Sequence, residues 1–243
     1  PHAPNAEPAA ATSARPQTVT PPTKGERIIL IGNGLAERDV YYSRIETELH
    51  LRYPDQNLFF RNMGHVGDTP GFRPHPSRVS QWAFPGAEKF HPDKQVHHGK
   101  GFFSTPDQWL THLKADTIVA FFGYNESFAG EEGLPKFEKD LDTFLKETLS
   151  KKYDGKNNPR IVLFSPIAHE NIKDPNLPDG TENNKRIALY TKAMAKVAAA
   201  NKVFFVDLFT TTLNLYSVSE KPLTINGIHL NEFGDKLVAE IIE

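Results

Sequence analysis

Five short apolar runs recur from residue 26 onward, at Arg27–Ile31, Asn57–Arg61, Thr117–Phe122, Arg160–Phe164 and Val203–Leu208. Each is rich in Ile, Val or Phe and too short for a buried helix, so each reads as a strand. Helix-length segments separate and follow them, at Tyr41–Arg52, Pro106–Lys114, Leu134–Lys151, Glu182–Ala200 and Glu232–Ile242. In the fourth, Ile187, Tyr190, Met194 and Val197 recur at three- and four-residue steps behind an expected N-cap at Thr181, which draws one apolar stripe. Strands that are apolar throughout and alternate with helices build a parallel sheet covered on both faces. The expected architecture is three-layer α/β with five parallel strands.

Two segments fall outside this alternation. Residues 1–24 hold six prolines, six alanines and only three charges (Glu7, Arg15, Lys24), leaving nothing to bury, so they are expected to be a flexible tail. Such a linker, in a chain that opens without methionine, leads to the expectation of an exported, periplasmic or extracellular protein. Residues 25–243 form the folded domain, interrupted at 65–104 by a long loop with five histidines, several aromatics and no sustained period. A loop of that length carries small elements of its own or folds over a site.

Composition removes several function classes. The chain has no cysteine, which excludes disulfides, zinc–thiolate sites and cysteine nucleophiles. Its 28 basic and 30 acidic residues are well mixed, so no electrostatic footprint for nucleic acid is visible. No apolar stretch approaches the roughly 20 residues of a membrane helix. His65, His75, His91, His97 and His98 match no recognised ligand spacing, so neither a metal nor any other cofactor is expected.

In a parallel α/β sheet, ligands bind beyond the carboxyl ends of the strands, so the residues after each strand carry the functional reading. They are Gly32-Asn33-Gly34-Leu35-Ala36-Glu37-Arg38, then Asn62-Met63-Gly64-His65 with Gly67-Asp68-Thr69, then Gly123-Tyr124-Asn125-Glu126-Ser127. The fourth strand leads into Ser165-Pro166-Ile167-Ala168-His169-Glu170, and Asn226-Gly227-Ile228-His229-Leu230-Asn231 stands near the C-terminus. Small, amide and titratable side chains gather where a site belongs.

This order resembles the SGNH (GDSL-like) hydrolase superfamily across nearly everything after Lys24. Gly64 matches the family's second block, Gly123 and Asn125 its third, and His229 its last, where the GIHLNEFG string is particularly similar. The resemblance implies the family's flavodoxin-like three-layer fold and a hydrolase acting on a carbohydrate ester. It assigns His229 as base and Asn226 as its orienting partner, with Gly34, Gly64 and Asn125 holding the oxyanion. Asn33, Glu37, Asp68, Tyr124, Glu126 and His169 are the expected substrate-binding residues, for a small-molecule or glycan substrate.

Two positions depart from the family. Glycine stands at residue 34, where the family has its nucleophilic serine, and asparagine at 226, where it has aspartate. The GNGLAER string resembles a variant first block of a bacterial subgroup. Glycine has no hydroxyl, so a covalent acyl-enzyme lacks its attacking atom. Asparagine can hold an imidazole but cannot neutralise an imidazolium. Hydrolysis would then need water activated directly by His229. Two alternatives remain open: a glycosidase using Glu37 and Glu126, which needs carboxyls about 5–5.5 Å or about 6.5–9.5 Å apart, and a pocket that binds sugar without catalysis.

Overall fold

The computed structural model describes residues 20–71 and 106–242. The five strands are β1 (Arg27–Gly32), β2 (Phe59–Asn62), β3 (Thr117–Phe121), β4 (Arg160–Phe164) and β5 (Phe204–Val206). All neighbours are parallel, in the order β2-β1-β3-β4-β5, so the chain steps outward from β1 and then crosses over to β3. The helices are α1 (Gly34–Arg38), α2 (Arg44–Arg52), α3 (Pro106–Leu113), α4 (Tyr124–Ser127), α5 (Leu134–Ser150), α6 (Thr181–Ala200), α7 (Leu208–Val218) and α8 (Glu232–Ile242).

Because side chains alternate across a strand, one sequence run feeds both layers. Ile29, Ile31, Ile118, Ala120, Ile161 and Leu163 face Leu110 of α3, Phe137, Leu141 and Leu145 of α5, and Tyr190, Met194 and Val197 of α6. Their neighbours Ile28, Leu30, Val119, Phe121 and Phe164 point the other way, to Ala36 of α1, Ile45 of α2, and Val238 and Ala239 of α8. Every residue of β3 is buried, as a central strand requires. No helix among the described residues is long and apolar enough to cross a membrane.

Element ends shift where local chemistry overrides pattern. The second strand begins at Phe59, because Asn57 turns through a left-handed conformation at φ 49°. The second helix starts at Arg44, after Ser43 at φ 51°. Gly180, at φ 82°, is the N-cap of α6 in place of Thr181, which is its first helical residue. The fifth strand stops at Val206 because Asp207 caps a helix, accepting the Thr210 N–H at 2.8 Å. That helix, α7, has no sequence-level signal: its Thr-rich first turns suit a strand. Tertiary contacts hold it, including Phe209 N–H donating to Ser165 Oγ at 3.0 Å and Ala168 N–H donating to Thr212 Oγ1 at 2.8 Å. Residues 1–19 of the expected tail and 72–104 of the expected long loop lie outside the described residues.

Candidate functional site

The turn after β1 is built by hydrogen bonds across the sheet top. Asn33 donates its backbone N–H to the Phe121 carbonyl (3.0 Å), and its Oδ1 accepts the Leu35 N–H (3.2 Å), capping α1. Only 4% of Asn33 is exposed, and its side chain shapes the turn. Gly34 begins α1 over open space: an added Cβ would meet nothing nearer than Val66 Cγ2, at 3.8 Å.

The loop after β2 is sewn onto α1. Asn62 Nδ2 donates to the Ala36 carbonyl (2.6 Å), His65 N–H to the Gly32 carbonyl (2.8 Å), and Val66 N–H to Glu37 Oε2 (2.6 Å). A Cβ on Gly64 would lie 2.6 Å from both Ala36 Cβ and Glu37 N, so only glycine permits this approach. Its N–H donates to Asn62 Oδ1 at 2.8 Å. The expected oxyanion role of Gly64 is therefore corrected: its donor is consumed inside the loop.

Carboxylates expected in the pocket make contacts with the scaffold. Glu37 is committed to the Val66 amide. Glu126 turns back to accept the Gly123 N–H at 2.9 Å, and its other oxygen is buried without a hydrogen-bond partner. Burial foremost, with Asp140 nearby, pushes its carboxyl up to about 7. Each acid of the glycosidase reading thus accepts a different backbone amide. Asp68 is 2% exposed, and its carbonyl accepts Asn125 Nδ2 at 3.2 Å, which links the third block to the β2 loop. Tyr124, half-buried, packs edge-on against Phe128 (5.4 Å, 82°) at the outer lip of α4.

His169, expected in the pocket, is enclosed. It is 4% exposed, its Nδ1 takes Asn183 Nδ2 at 2.9 Å, and Cβ atoms on Gly180 or Gly227 would strike its ring. Its role is to support the C-terminal loop from below. Glu170 does the same more strongly. Its buried carboxylate accepts Leu223 N–H (2.9 and 3.0 Å), Thr224 N–H (2.7 Å) and Thr224 Oγ1–H (2.6 Å), and its own N–H donates to the Gly227 carbonyl at 2.8 Å. Nothing in the family blocks marks Glu170; its position after β4 was the only signal.

That support fixes the loop ending in His229. Thr224 bridges to Leu230 in antiparallel fashion, and Ile225 N–H donates to the His229 carbonyl at 2.8 Å. Asn226 Oδ1 accepts the backbone N–H of His229 (3.1 Å) and of Ile228 (3.4 Å), while Asn226 Nδ2 lies 3.0 Å from His229 Nδ1. The two backbone donors fix the amide's orientation, so its NH2 must point at the ring. Nδ1 is then an acceptor, and the single proton of the neutral imidazole sits on Nε2. Burial first, and the Arg38 guanidinium second, hold the ring below its usual pKa and keep it neutral at neutral pH. In this arrangement Nε2 carries the ring proton, and the base role expected of His229 belongs to the opposite tautomer. Arg38, whose guanidinium lies over the Tyr41 ring, was not marked by motif reasoning.

No family model and no curated protein matches the chain. Solved structures do. Axe2, an acetylxylan esterase from Geobacillus stearothermophilus, superposes with TM-score 0.60 at 16% identity over 92% of this chain and 94% of its own. The acetyl xylan esterase AlAXEase gives 0.55 at 18% identity, over 89% of this chain and 97% of its own. BT4096, a gut microbial diltiazem-metabolizing enzyme, gives 0.63 at 18% identity, over 93% of this chain but 48% of its own. The fold is the three-layer SGNH hydrolase fold.

Proposed function

We propose that this chain binds a carbohydrate ester or related sugar in the SGNH cleft without hydrolysing it through a covalent intermediate. One observation carries the reading: Asn226 Oδ1 takes two backbone N–H groups while its Nδ2 lies 3.0 Å from His229 Nδ1, an arrangement that leaves the ring proton on Nε2. An imidazole in that tautomer donates to a carbonyl or hydroxyl oxygen but takes no proton from water. The absent hydroxyl at Gly34 agrees with it. Catalytic mutants of Axe2 replace a serine and an aspartate, the residue types for which this chain has Gly34 and Asn226 in the family order. The sugar-ester class comes from the acetyl xylan esterases of like fold.

A second reading, slow hydrolysis by a water above Gly34, is favoured by the open space there. It requires the opposite tautomer and a rotated Asn226. Calorimetric titration with acetylated xylo-oligosaccharides, run beside an acetate-release assay, separates the two. Binding that His229→Ala weakens, with no acetate released, supports the first. Acetate release that His229→Ala abolishes overturns it in favour of the second.

A further inference from the structure

Three exposed apolar side chains stand beside three members of the candidate site, each on a different loop at the carboxyl ends of the strands. Val66, 61% exposed, places its Cγ2 3.8 Å from where a Cβ on Gly34 would be. Ile225, 57% exposed, donates its N–H to the His229 carbonyl at 2.8 Å. Phe128, 59% exposed, continues the helical turn of α4 at φ −65° and ψ −19°, so it shares a face with Asn125 three residues earlier. Asn125 Nδ2 reaches the Asp68 carbonyl on the loop that carries Val66, so this face of α4 looks toward the Gly34 turn.

A single exposed apolar residue is ordinary on a protein surface; Phe128 differs because its ring is held. Tyr124 meets it nearly at right angles (5.4 Å, 82°), and the Arg186 guanidinium lies over it, 5.5 Å from the centroid. Tyr124 is seated on Ala168, Ile187 and Phe209. Arg186 Nη2 donates to Asn183 Oδ1, and Asn183 Nδ2 lies 2.9 Å from Nδ1 of the enclosed His169. The ring is braced by two side chains that are themselves fixed, while more than half of the residue stays in solvent. A ring already fixed gives up little freedom when a ligand settles on it.

We propose that Phe128 is the stacking platform for a second sugar unit, next to the unit bound at His229, which makes the ligand an oligosaccharide chain and not a single sugar ester. A pyranose presents a face of C–H groups inside a rim of hydroxyls, so it lies flat on an aromatic ring while polar groups nearby take its oxygens. Val66 and Ile225 add aliphatic surface beside Gly34 and His229, which sheds water from the sugar without competing for its hydroxyls. The proposal rests on the binding reading above and extends it from one sugar to a chain.

The test is calorimetric titration of the full chain with acetylated xylose and acetylated xylotriose. The trisaccharide is expected to bind the native protein about tenfold tighter than the monosaccharide. Phe128→Ala is expected to erase that gain and to leave the monosaccharide affinity unchanged. Phe128→Tyr should keep the gain, and Phe128→Leu, apolar but without a ring, should lose most of it, with thermal melts confirming that the variants fold. Equal affinity for the two sugars, a gain that survives Phe128→Ala, or one that Phe128→Leu keeps in full overturns the proposal and leaves the binding reading standing. Loss of both affinities together in Phe128→Ala would make the ring a brace of the site and overturns it too. If neither sugar binds the native protein, the proposal and the binding reading fall together.

Discussion

Asn226 and His229 are joined twice: the asparagine oxygen takes the histidine backbone N–H at 3.1 Å, and its nitrogen faces the ring Nδ1 at 3.0 Å. An aspartate at 226 would accept at both points and place the ring proton on Nδ1. The asparagine reverses that polarity. Nitrogen NMR shifts of His229 should therefore report a protonated Nε2 in the native protein and a protonated Nδ1 in Asn226→Asp. Finding the proton on Nδ1 in the native protein would remove the basis of the binding reading.

Restoring activity should take two substitutions. Gly34→Ser places a hydroxyl where a Cβ already has room, but the imidazole beside it would still be in the wrong tautomer. In a serine protease the equivalent aspartate-to-asparagine change costs about four orders of magnitude in rate. Gly34→Ser/Asn226→Asp should hydrolyse a chromogenic acetate, and Gly34→Ser alone should do so more slowly by up to about that factor. Equal rates for the single and double variants would show that Asn226 does not control the ring.

The two glycines of the cleft should respond oppositely to alanine. A Cβ at Gly64 would lie 2.6 Å from Ala36 Cβ and Glu37 N, whereas one at Gly34 has no neighbour within 3.8 Å. Thermal unfolding should show Gly64→Ala destabilised by roughly 1–3 kcal/mol through overpacking. Gly34→Ala should be neutral or more stable by roughly 0.4–1 kcal/mol, since the unfolded chain loses freedom.

How much of this was legible beforehand follows from what each feature depends on. The strands, the layering and the placing of His229 rest on local hydrophobic period and block order, and both survive in a single sequence. The helix Leu208–Val218 does not, because Asp207 and contacts from β4 override its strand-like threonines. Nor do the true duties of Glu37, Glu126 and His169. Each was placed in the right neighbourhood, yet which backbone amide or glycine its side chain meets depends on loops remote in sequence. The tautomer of His229 likewise needed the direction of one amide.

The buried acid at 126 makes a pH-dependent prediction. Its folded-state carboxyl sits near 7, against an ordinary 4.5, so the folded protein holds that proton more tightly than the unfolded chain. Its contribution is thus fully present below about 4.5 and is lost as pH rises through 7, a swing of about 3 kcal/mol. Urea unfolding of Glu126→Gln should match the native protein near pH 4 and exceed it at pH 8. Asp235, shifted in the same direction, is common to both proteins and cancels in the comparison. Identical curves at pH 8 would show that the Glu126 carboxyl is not pushed up.

Glu170→Gln tests the support of the His229 loop. The replacement swaps one oxygen of a four-bond acceptor for an NH2 group that faces the Leu223 and Thr224 donors. A loss of roughly 1.5–3 kcal/mol is expected, together with broadened His229 resonances. Unchanged, sharp resonances would mean that the loop holds itself.

That support carries a consequence for how such a cleft can vary. The imidazole takes its position from a carboxylate anchored beyond β4, not from the residues that lead into its loop from α7. The stretch 219–221 can therefore vary in length while the ring stays fastened, because the fastening points lie downstream of it, at the Pro222 carbonyl held by Asn231 and at Leu223 and Thr224.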